Sequence, residues 1–421
     1  MSVQPSAPGA CDVLVIGGGP AGSTAATLLA RRGLAVVMLE KDPHPRFHIG
    51  ESLLPCNLPI LRDLGVLDQV REIGVFKPGA EFVSDRGEGR VAFPFRLAIG
   101  ARDTHAYQVR RSEFDEILFR NAAKHGVTTR EGLRVTQARF VPGGRAQIVA
   151  IDREKNEHHF APRFVLDASG RDGFLASRLH GRHADKNNST AAIFAHFRNV
   201  TRREPGMDGY ISIHLVEDGW FWMIPLRDNI MSVGFVGDKK AFQSQNRPKT
   251  EVFWKKVAQS PSVSERLAAA EMLGELTTTG NYSYRADSNR GEGYYMIGDA
   301  YAFLDPVFSS GVLLAMRSAY RGARVARAWL RHPQAGRRAA RREERRTRAE
   351  MRRVAWMIYG INDPDLRELF LNPRNVLRMR DSVISLLAGD FAGRLRVQAP
   401  LAVFRTVLSA MRWRRARHRA P

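Results

Sequence analysis

Three glycines at the spacing Gly17-x-Gly19-x-x-Gly22 follow directly on the apolar run Val13 to Ile16. Residues of that type at that spacing can hold a phosphate group. The first glycine permits a tight turn, the second lets backbone approach a pyrophosphate, and the third lets a helix pack closely on the strand. The phosphates would face the N-terminus of a helix over Ser23 to Arg31, where free N–H groups and the helix dipole favour negative charge. A second apolar run, Ala35 to Leu39, ends in Glu40. That acid lies roughly 20 residues past the glycines, where a ribose hydroxyl needs an acceptor. Strand, glycines, helix, strand and terminal acid together specify a dinucleotide site, and NAD and FAD both satisfy the pattern.

Three further groups are chemically suggestive. Phe164 to Leu166 ends in Asp167-Ala-Ser-Gly170, and Tyr294 to Ile297 ends in Gly298-Asp299. A strand tip carrying an acid and a glycine faces ligand in an open α/β sheet. Ser309, Ser310 and Gly311 open a helix running from Val312 to about Arg331, a ready anion site. Trp220 and Trp222 sit two apart in Gly219-Trp-Phe-Trp-Met-Ile-Pro225, so on a strand both indoles share one face. A second glycine fingerprint for a nicotinamide cofactor does not appear, so electrons for a flavin would come from elsewhere.

These groups need a scaffold, and the chain order supplies one. Lys41 to Gly50 reads as a loop, followed by a helix with Leu58, Leu61, Leu64 and Leu67 on one face. Phe76-Lys77-Pro78 breaks the chain before a strand at Ala80 to Val83. Ser112 is placed to cap a helix reaching Lys124. Short strands fill Val127 to Phe160, antiparallel sheet fills Ala191 to Gly237, and Thr250 to Leu273 reads as helical. The nucleotide-binding sheet is thus visited near residues 12, 164 and 295. The fold class is α/β: a Rossmann-like FAD-binding domain with an inserted antiparallel β-sheet substrate domain and a C-terminal helical extension. The boundaries are 10–75, 106–190 and 285–335 for the first, 76–105 and 191–284 for the second, and 336–421 for the basic helical region.

The chain has 421 residues, enough for two or three structural units, and a hydrophobic fraction of 44% ordinary for a globular protein. No apolar run is long enough to span a bilayer. The first apolar stretch is a strand and not a secretory signal, because it lacks a basic leader and a cleavage site. Cys11 and Cys56 give neither a disulfide framework nor metal-site spacing, so no metal is expected and the compartment is cytoplasmic. The net charge is +22, and 22 arginines against 8 acids place +14 of it after residue 330. That surface suits an acidic partner, an anionic membrane or nothing beyond solvent; nucleic acid is disfavoured because no recognition fold accompanies it. Pro400 precedes a run with Phe404, Val407, Leu408 and Met411 on one helical face, then arginines at 412, 414, 415, 417 and 419. Core closure, peripheral contact with the inner membrane and reception of an acidic carrier protein are three readings of that tail.

The glycine motif, Gly50-Glu51-Ser52, Phe76-Lys77, Asp167 to Gly170, Gly298-Asp299 and Asp305 to Gly311 together resemble the flavin-dependent halogenases, over about residues 10 to 330. Trp220-Phe-Trp222-Met-Ile224-Pro225 matches that family's W-x-W-x-I-P signature and is the specific part. The resemblance implies the fold of the p-hydroxybenzoate hydroxylase-like flavoproteins. It implies FAD used as FADH2, O2, and chloride or bromide oxidised to hypohalous acid that travels to an organic substrate. Lys77 matches the catalytic lysine. Trp220, Trp222, Ile224 and Pro225 match the barrier between flavin and substrate. Ser309, Ser310 and Gly311 match the halide loop. Gly17, Gly19, Gly22, Glu40, Arg46, Arg110, Asp167 and Asp299 carry over to FAD. The tryptophan-halogenating branch has a glutamate before the serine of the halide loop; Phe308 stands there, as in the phenol- and pyrrole-halogenating branch. The implied partners are a separate NAD(P)H–flavin reductase and an electron-rich aromatic, free, carrier-tethered or an aryl-polyene precursor. Glu51, Tyr284 and His214 are unassigned candidates for a general base. An aromatic monooxygenase or isoprenoid-type reductase on the same fold is the rival reading, and a flavin-holding interaction protein a second.

Overall fold

The computed structural model describes residues 9–85, 89–184, 190–238, 242, 248–280, 283–361 and 363–419. Its organising element is the strand Ala10–Ile16, whose apolar residues from Val13 to Val15 are fully buried. Strands apolar on both sides are stable only between two covering layers. Here the strand pairs in parallel with Val36–Glu40 on one side and Glu157–Asp167 on the other. Thr128–Glu131 and Tyr294–Met296 extend the parallel sheet outward. The register sets Ile16 level with Leu39 and with Asp167, so the strand tips align. Each tip then turns out over one end of the sheet: Gly17 N–H donates to the Leu39 carbonyl at 2.7 Å and Ala168 N–H to the Ile16 carbonyl at 2.8 Å. Ligands of open α/β sheets lie at this carboxyl end.

Helices cover one face of that sheet. Pro20–Ala30, Arg111–Lys124 and Gly311–Arg331 meet through small side chains, Ala25, Ala26, Ala122, Ala319 and Ala323, which allow close approach. The hairpin Arg134–Arg139 with Gln147–Ile151 covers the other face. Arg110 is the N-cap residue of the middle helix, so the expected Ser112 cap lies inside it.

The inserted sheet has seven strands in the order Glu271–Gly280, Thr190–Arg198, Ile230–Asp238, Gly219–Pro225, Ile211–Val216, Gly79–Ser84, Gly89–Pro94. Five of the six pairings in this sheet are antiparallel, but Ile211–Val216 runs parallel to Gly79–Ser84. Val75–Lys77 stands apart from this sheet and pairs with Ala106–Gln108. The sequence placed residue 76 at the start of the sheet unit; the structure uses that strand as a separate strut. The helical reading of Thr250 to Leu273 is also corrected. Helices Lys249–Ala258 and Pro261–Leu267 break at Ser260, ahead of a proline at the start of the second, and Glu271–Gly280 is an edge strand.

The C-terminal region is helical: Pro333–Gly360, Pro364–Leu371, Met379–Leu387 and Leu395–Arg419. The last helix begins ahead of Pro400 instead of after it, with the proline in its second turn, where a missing N–H removes one helical bond. Val397, Leu401, Phe404 and Leu408 are buried against the preceding helices. That part of the face is therefore occupied by protein, as the core-closure reading expects. No helix among the described residues is long and apolar enough to cross a membrane.

Gly22 supports a direct test of this packing. A Cβ there would lie 1.9 Å from the Gly17 carbonyl oxygen. Gly22→Ala should destabilise the protein by about 1–3 kcal/mol through forced backbone movement. A thermal melt of the FAD-free protein reads this; an unchanged midpoint would show that the turn relaxes freely.

Candidate active site

The aligned strand tips open into a cavity of about 810 Å³, within the usual range for cofactor sites. One end is the glycine turn. Gly17 has φ of +98°, and an added Cβ would meet the Ala168 carbonyl oxygen at 2.4 Å, so glycine is required there. Gly19, Pro20 and Ala21 line the cavity, and no side chain caps their helix. Its first N–H groups thus face the cavity as free donors. Glu40 holds the turn: its Oε2 accepts from Gly18 N–H at 2.8 Å, its Oε1 from Asp42 N–H at 3.1 Å, and the carboxylate still lines the wall. Arg46 lies beside it, 3.3 Å from Glu40 Oε2, with its Nε buried and without an acceptor among the described residues. Free helix N–H groups, a ribose-level acid and an orphaned guanidinium nitrogen fit the pyrophosphate and ribose of a dinucleotide.

Asp299 lines the middle of the cavity, held by its own backbone carbonyl, which accepts from the Tyr284 hydroxyl at 2.7 Å. Burial pushes its carboxyl up to about 6, against the opposing charges of Arg111 and Arg171. Beyond it lies the halide-type loop. Asp305 caps the turn Pro306–Phe308 by accepting from Val307 N–H at 3.2 Å. Ser309 then adopts a left-handed φ of +55°, and the helix Gly311–Arg331 starts from Ser310. This bend aims the helix N-terminus at the cavity, lined here by Ser309 and Gly311. Ser310 is buried and faces a small chamber of about 20 Å³ behind the loop.

The far wall is the inner face of the seven-stranded sheet. Ile211, Ile213, Trp220, Trp222 and Ile224 all face the cavity. Pro225 ends that strand without lining it. The indoles lie 6.0 Å apart between ring centres and are nearly buried. Trp222 Nε1 donates to Ser232 Oγ at 3.1 Å, which fixes the ring plane. Gly234 leaves it room: a Cβ there would come within 2.3 Å of the Trp222 ring. A hydrogen-bonded indole over a glycine is a rigid, dry wall.

Lys77 is 1% exposed and does not open onto solvent. Its strand is buttressed by Ala106–Gln108, and its amine reaches back to the Gly50-Glu51-Ser52 segment. Nζ donates to Ser52 Oγ at 2.7 Å and to the Leu53 carbonyl at 2.8 Å. No carboxylate among the described residues compensates it, and burial pulls its pKa down to about 7. Ser52 also lines the cavity, so one hydroxyl separates cavity and amine.

Residues 10–355 match the family model described as an FAD binding domain. A tryptophan 2-halogenase of Chondromyces crocatus is 37% identical over 319 residues, which are 74% of this chain and 60% of that protein. A pyrrole-2-carbonyl peptidyl-carrier-protein chlorinase of Pseudomonas fluorescens is 32% identical over 331 residues, 73% of this chain and 74% of that one. The solved flavin-dependent brominase Bmp2 superposes with a TM-score of 0.80 at 29% identity, over 96% of this chain and 100% of its own. The chain belongs to the flavin-dependent halogenase family. It spans 60% of the length of the first of these relatives.

FAD is thus the dinucleotide this fold takes. Within that frame two residues expected at the cofactor lie elsewhere. Arg110 turns outward to Glu113, Asp228 and the Arg227 carbonyl. Its neighbour Arg111 is the one that faces the cavity, fixed by Asp115 at 2.7 Å. Asp167 is fully buried, accepting from Ser169 N–H at 2.9 Å and Leu175 N–H at 2.8 Å, so it shapes the turn and does not reach ligand. His214 and Tyr284 are likewise structural: His214 binds Ser262 on the far face of the sheet, and burial keeps it neutral. The sequence reading passed over the pairing of Glu51 with His196, at 2.7 Å on the cavity rim. Nothing in the spacing of residues 51 and 196 signals that contact.

The Lys77 shift sets a sign for stability against pH. The folded pKa lies below the ordinary 10.5, so between about pH 7 and 10.5 the unfolded chain holds a proton that the folded chain lacks. Stability rises with pH through that window. Relative to Lys77→Met, the wild-type urea midpoint should climb from about pH 7 to about pH 10. Parallel curves for the two proteins would mean that the amine is not held uncharged.

Proposed function

We propose that this chain oxidises chloride or bromide and passes the halogen through Lys77 to an electron-rich aromatic ring. Reduced FAD, when bound, would supply two of the four electrons that O2 takes up, and the halide, oxidised to the hypohalous level, supplies the other two. The overall balance is FADH2, O2, halide, ring C–H and one proton giving FAD, ring C–halogen and two waters. Ser310 and Gly311 hold the halide through their backbone N–H groups, with Ser309 on the cavity side. Gly17, Gly19, Gly22, Glu40, Arg46, Asp299 and, in place of Arg110, Arg111 hold and orient FAD.

The observation that carries this reading is the position of Lys77. Its amine is buried one hydroxyl away from the FAD cavity. Two N–H bonds to Ser52 and Leu53 leave an uncharged amine its lone pair. That lone pair attacks the halogen of hypohalous acid, displacing water and forming an N–halogen bond. The ring carbon then takes the halogen, and the ring proton goes to the nitrogen. Arginine is charged at working pH and has no such lone pair. The wall of Trp220, Trp222 and Ile224 keeps the ring away from the cofactor, which favours halogenation over direct oxygen transfer.

The substrate class follows from Phe308. That side chain offers no carboxylate to help polarise a ring, so the ring must be activated on its own, as phenols and pyrroles are. One relative is named for a pyrrole on a carrier protein, and Arg338, Arg341, Arg342 and Arg345 form an exposed basic row on Pro333–Gly360. Both support a carrier-tethered substrate. The missing nicotinamide fingerprint supports a separate flavin reductase.

A reconstituted assay tests the proposal: a flavin reductase, NADH, O2, chloride or bromide, and a panel of phenols and pyrroles. Halogenated product is expected, and hydroxylated product without halogen would overturn the reading. Lys77→Ala and Lys77→Arg should each lose about 10²-fold or more of ring halogenation while retaining FAD. Undiminished turnover in either would remove Lys77 from the transfer. With wild type, the rate should rise as pH passes about 7, following the free-amine fraction.

A further inference from the structure

Each turnover of the proposed reaction draws one proton from solvent into a cavity with a dry wall. A proton crosses such a wall along groups that can hold and release it. Most ionisable groups lining the cavity are otherwise engaged. Both oxygens of Glu40 accept backbone N–H bonds. His48 Nδ1 meets the Ile49 carbonyl at 2.7 Å, and burial, aided by Arg111, pulls its pKa down to about 4, so it carries no proton near neutrality. Asp299 is flanked by Arg111 and Arg171, and guanidinium groups do not release their protons. Glu51 differs, because an imidazole is bonded to it.

The chain fixes Glu51 at the wall. Gly50 turns with φ of +107°, and the Glu51 carbonyl accepts from Val109 N–H at 2.8 Å. Glu51 lines the cavity and is 1% exposed. Its two oxygens are unlike. Oε1 meets His196 Nε2 at 2.7 Å, while Oε2 is buried with no hydrogen-bond partner among the described residues. An unpartnered buried carboxylate oxygen is costly, and a proton or a ligand donor relieves it. His196 stands on the strand Thr190–Arg198, and its side chain is 21% exposed, so one ring touches both solvent and the carboxylate. Its cross-strand neighbours, Ser232 and Leu273, are not ionisable. Phe47, largely exposed, lies edge-on to it at 5.8 Å and marks the rim. On the Glu51 side the charged neighbour is Arg111.

We propose that His196 and Glu51 form a proton relay from solvent into the FAD cavity. The inference rests on the reading that reduced FAD meets O2 there. Solvent protonates the imidazole at Nδ1, and the Nε2 proton passes to Oε1. The carboxyl group then gives that proton to the oxygen being reduced and becomes a carboxylate again. The imidazole regains its Nε2–H form through solvent. One proton enters and no electron moves through the pair. A mechanical tie between residue 51 and the sheet would need only the hydrogen bond. His196→Gln keeps a donor for Oε1 but cannot pass a proton, and so separates the two roles.

The test uses the full chain loaded with FAD, without halide or aromatic. Reduced flavin anion, O2 and one proton give FAD and hydrogen peroxide, and stopped-flow absorbance follows the return of FAD. His196→Gln, His196→Ala and Glu51→Gln should each slow that return about 10²-fold while retaining FAD. Added imidazole should restore His196→Ala and leave Glu51→Gln slow. A second measurement needs no O2. Anaerobic photoreduction of bound FAD to its reduced anion takes up one proton, read by an indicator dye in the bulk solution. Uptake should keep step with reduction in the wild type and lag behind it in His196→Gln. Wild-type reoxidation and uptake in His196→Gln overturn the relay, as does a slow His196→Ala that imidazole fails to restore. Neither measurement involves halide. Missing halogenated product in the reconstituted assay therefore overturns the halogenase reading, and these two measurements still decide the relay.

Discussion

The structure turns on one buried amine with no carboxylate beside it. Moving a charged ammonium out of water carries a large penalty, and the group responds by giving up its proton. Lys77 is held in that condition by geometry alone. The strut formed by Val75–Lys77 and Ala106–Gln108 fixes its Cα, and Ser52 and Leu53 take both of its N–H bonds. A surface lysine on the same strand would be solvated, charged and unreactive. Around Lys77 the fold thus excludes water and leaves Ser52 as a polar link between the nitrogen and the cofactor cavity.

That requirement explains why two sheets are needed. The parallel sheet brings its strand tips level, which creates a floor of turns and helix N-termini suited to phosphate and halide. It cannot supply a dry ceiling, because loops that bind anions expose their own N–H groups. The seven-stranded sheet supplies it. Alternation along Gly219–Pro225 puts Trp220, Trp222 and Ile224 on the cavity side and Phe221 and Met223 in the outer core. The register with Ile230–Asp238 sets Gly234 opposite Trp222, so a large ring fits without displacing its neighbour strand.

Much of this was legible in the chain itself. The turn at Gly17 to Gly22, Glu40, the strand-tip acid Asp299 and the bend at Ser309 are local: neighbouring residues decide the conformation, and the spacing reports it. Trp220 and Trp222 were legible because a strand has a period of two. Failures occurred where a choice is made by tertiary contact. Arg110 and Arg111 are adjacent in sequence, and only the docking of Asp115 decides which one turns inward. Asp167 looks like a ligand acid, but two backbone N–H groups reach it first. The break at Ser260 and the start of the last helix before Pro400 depend on what each segment packs against. The pairing of residues 51 and 196 leaves no periodic trace.

The arginine-rich end illustrates the same division between composition and placement. Along Pro333–Gly360 the acids Glu343 and Glu350 are buried and point at the helix below, where Arg321 and Arg324 meet Glu343 and Arg317 and Arg321 meet Glu350, while buried Glu344 meets Arg290. Inward carboxylates neutralise the previous helix, and Arg338, Arg341, Arg342 and Arg345 on the outer side meet no carboxylate among the described residues, whereas Arg337, Arg346 and Arg348 do. Net charge alone thus understates how basic the outer surface is. The tail does the reverse: Arg412 and Arg415 are matched by acids of Pro364–Leu371. Two arginine runs of similar composition therefore have different physics. The first presents a field to solvent and to any acidic partner, at a range set by salt. The second acts over a few ångströms within the molecule, on that short helix.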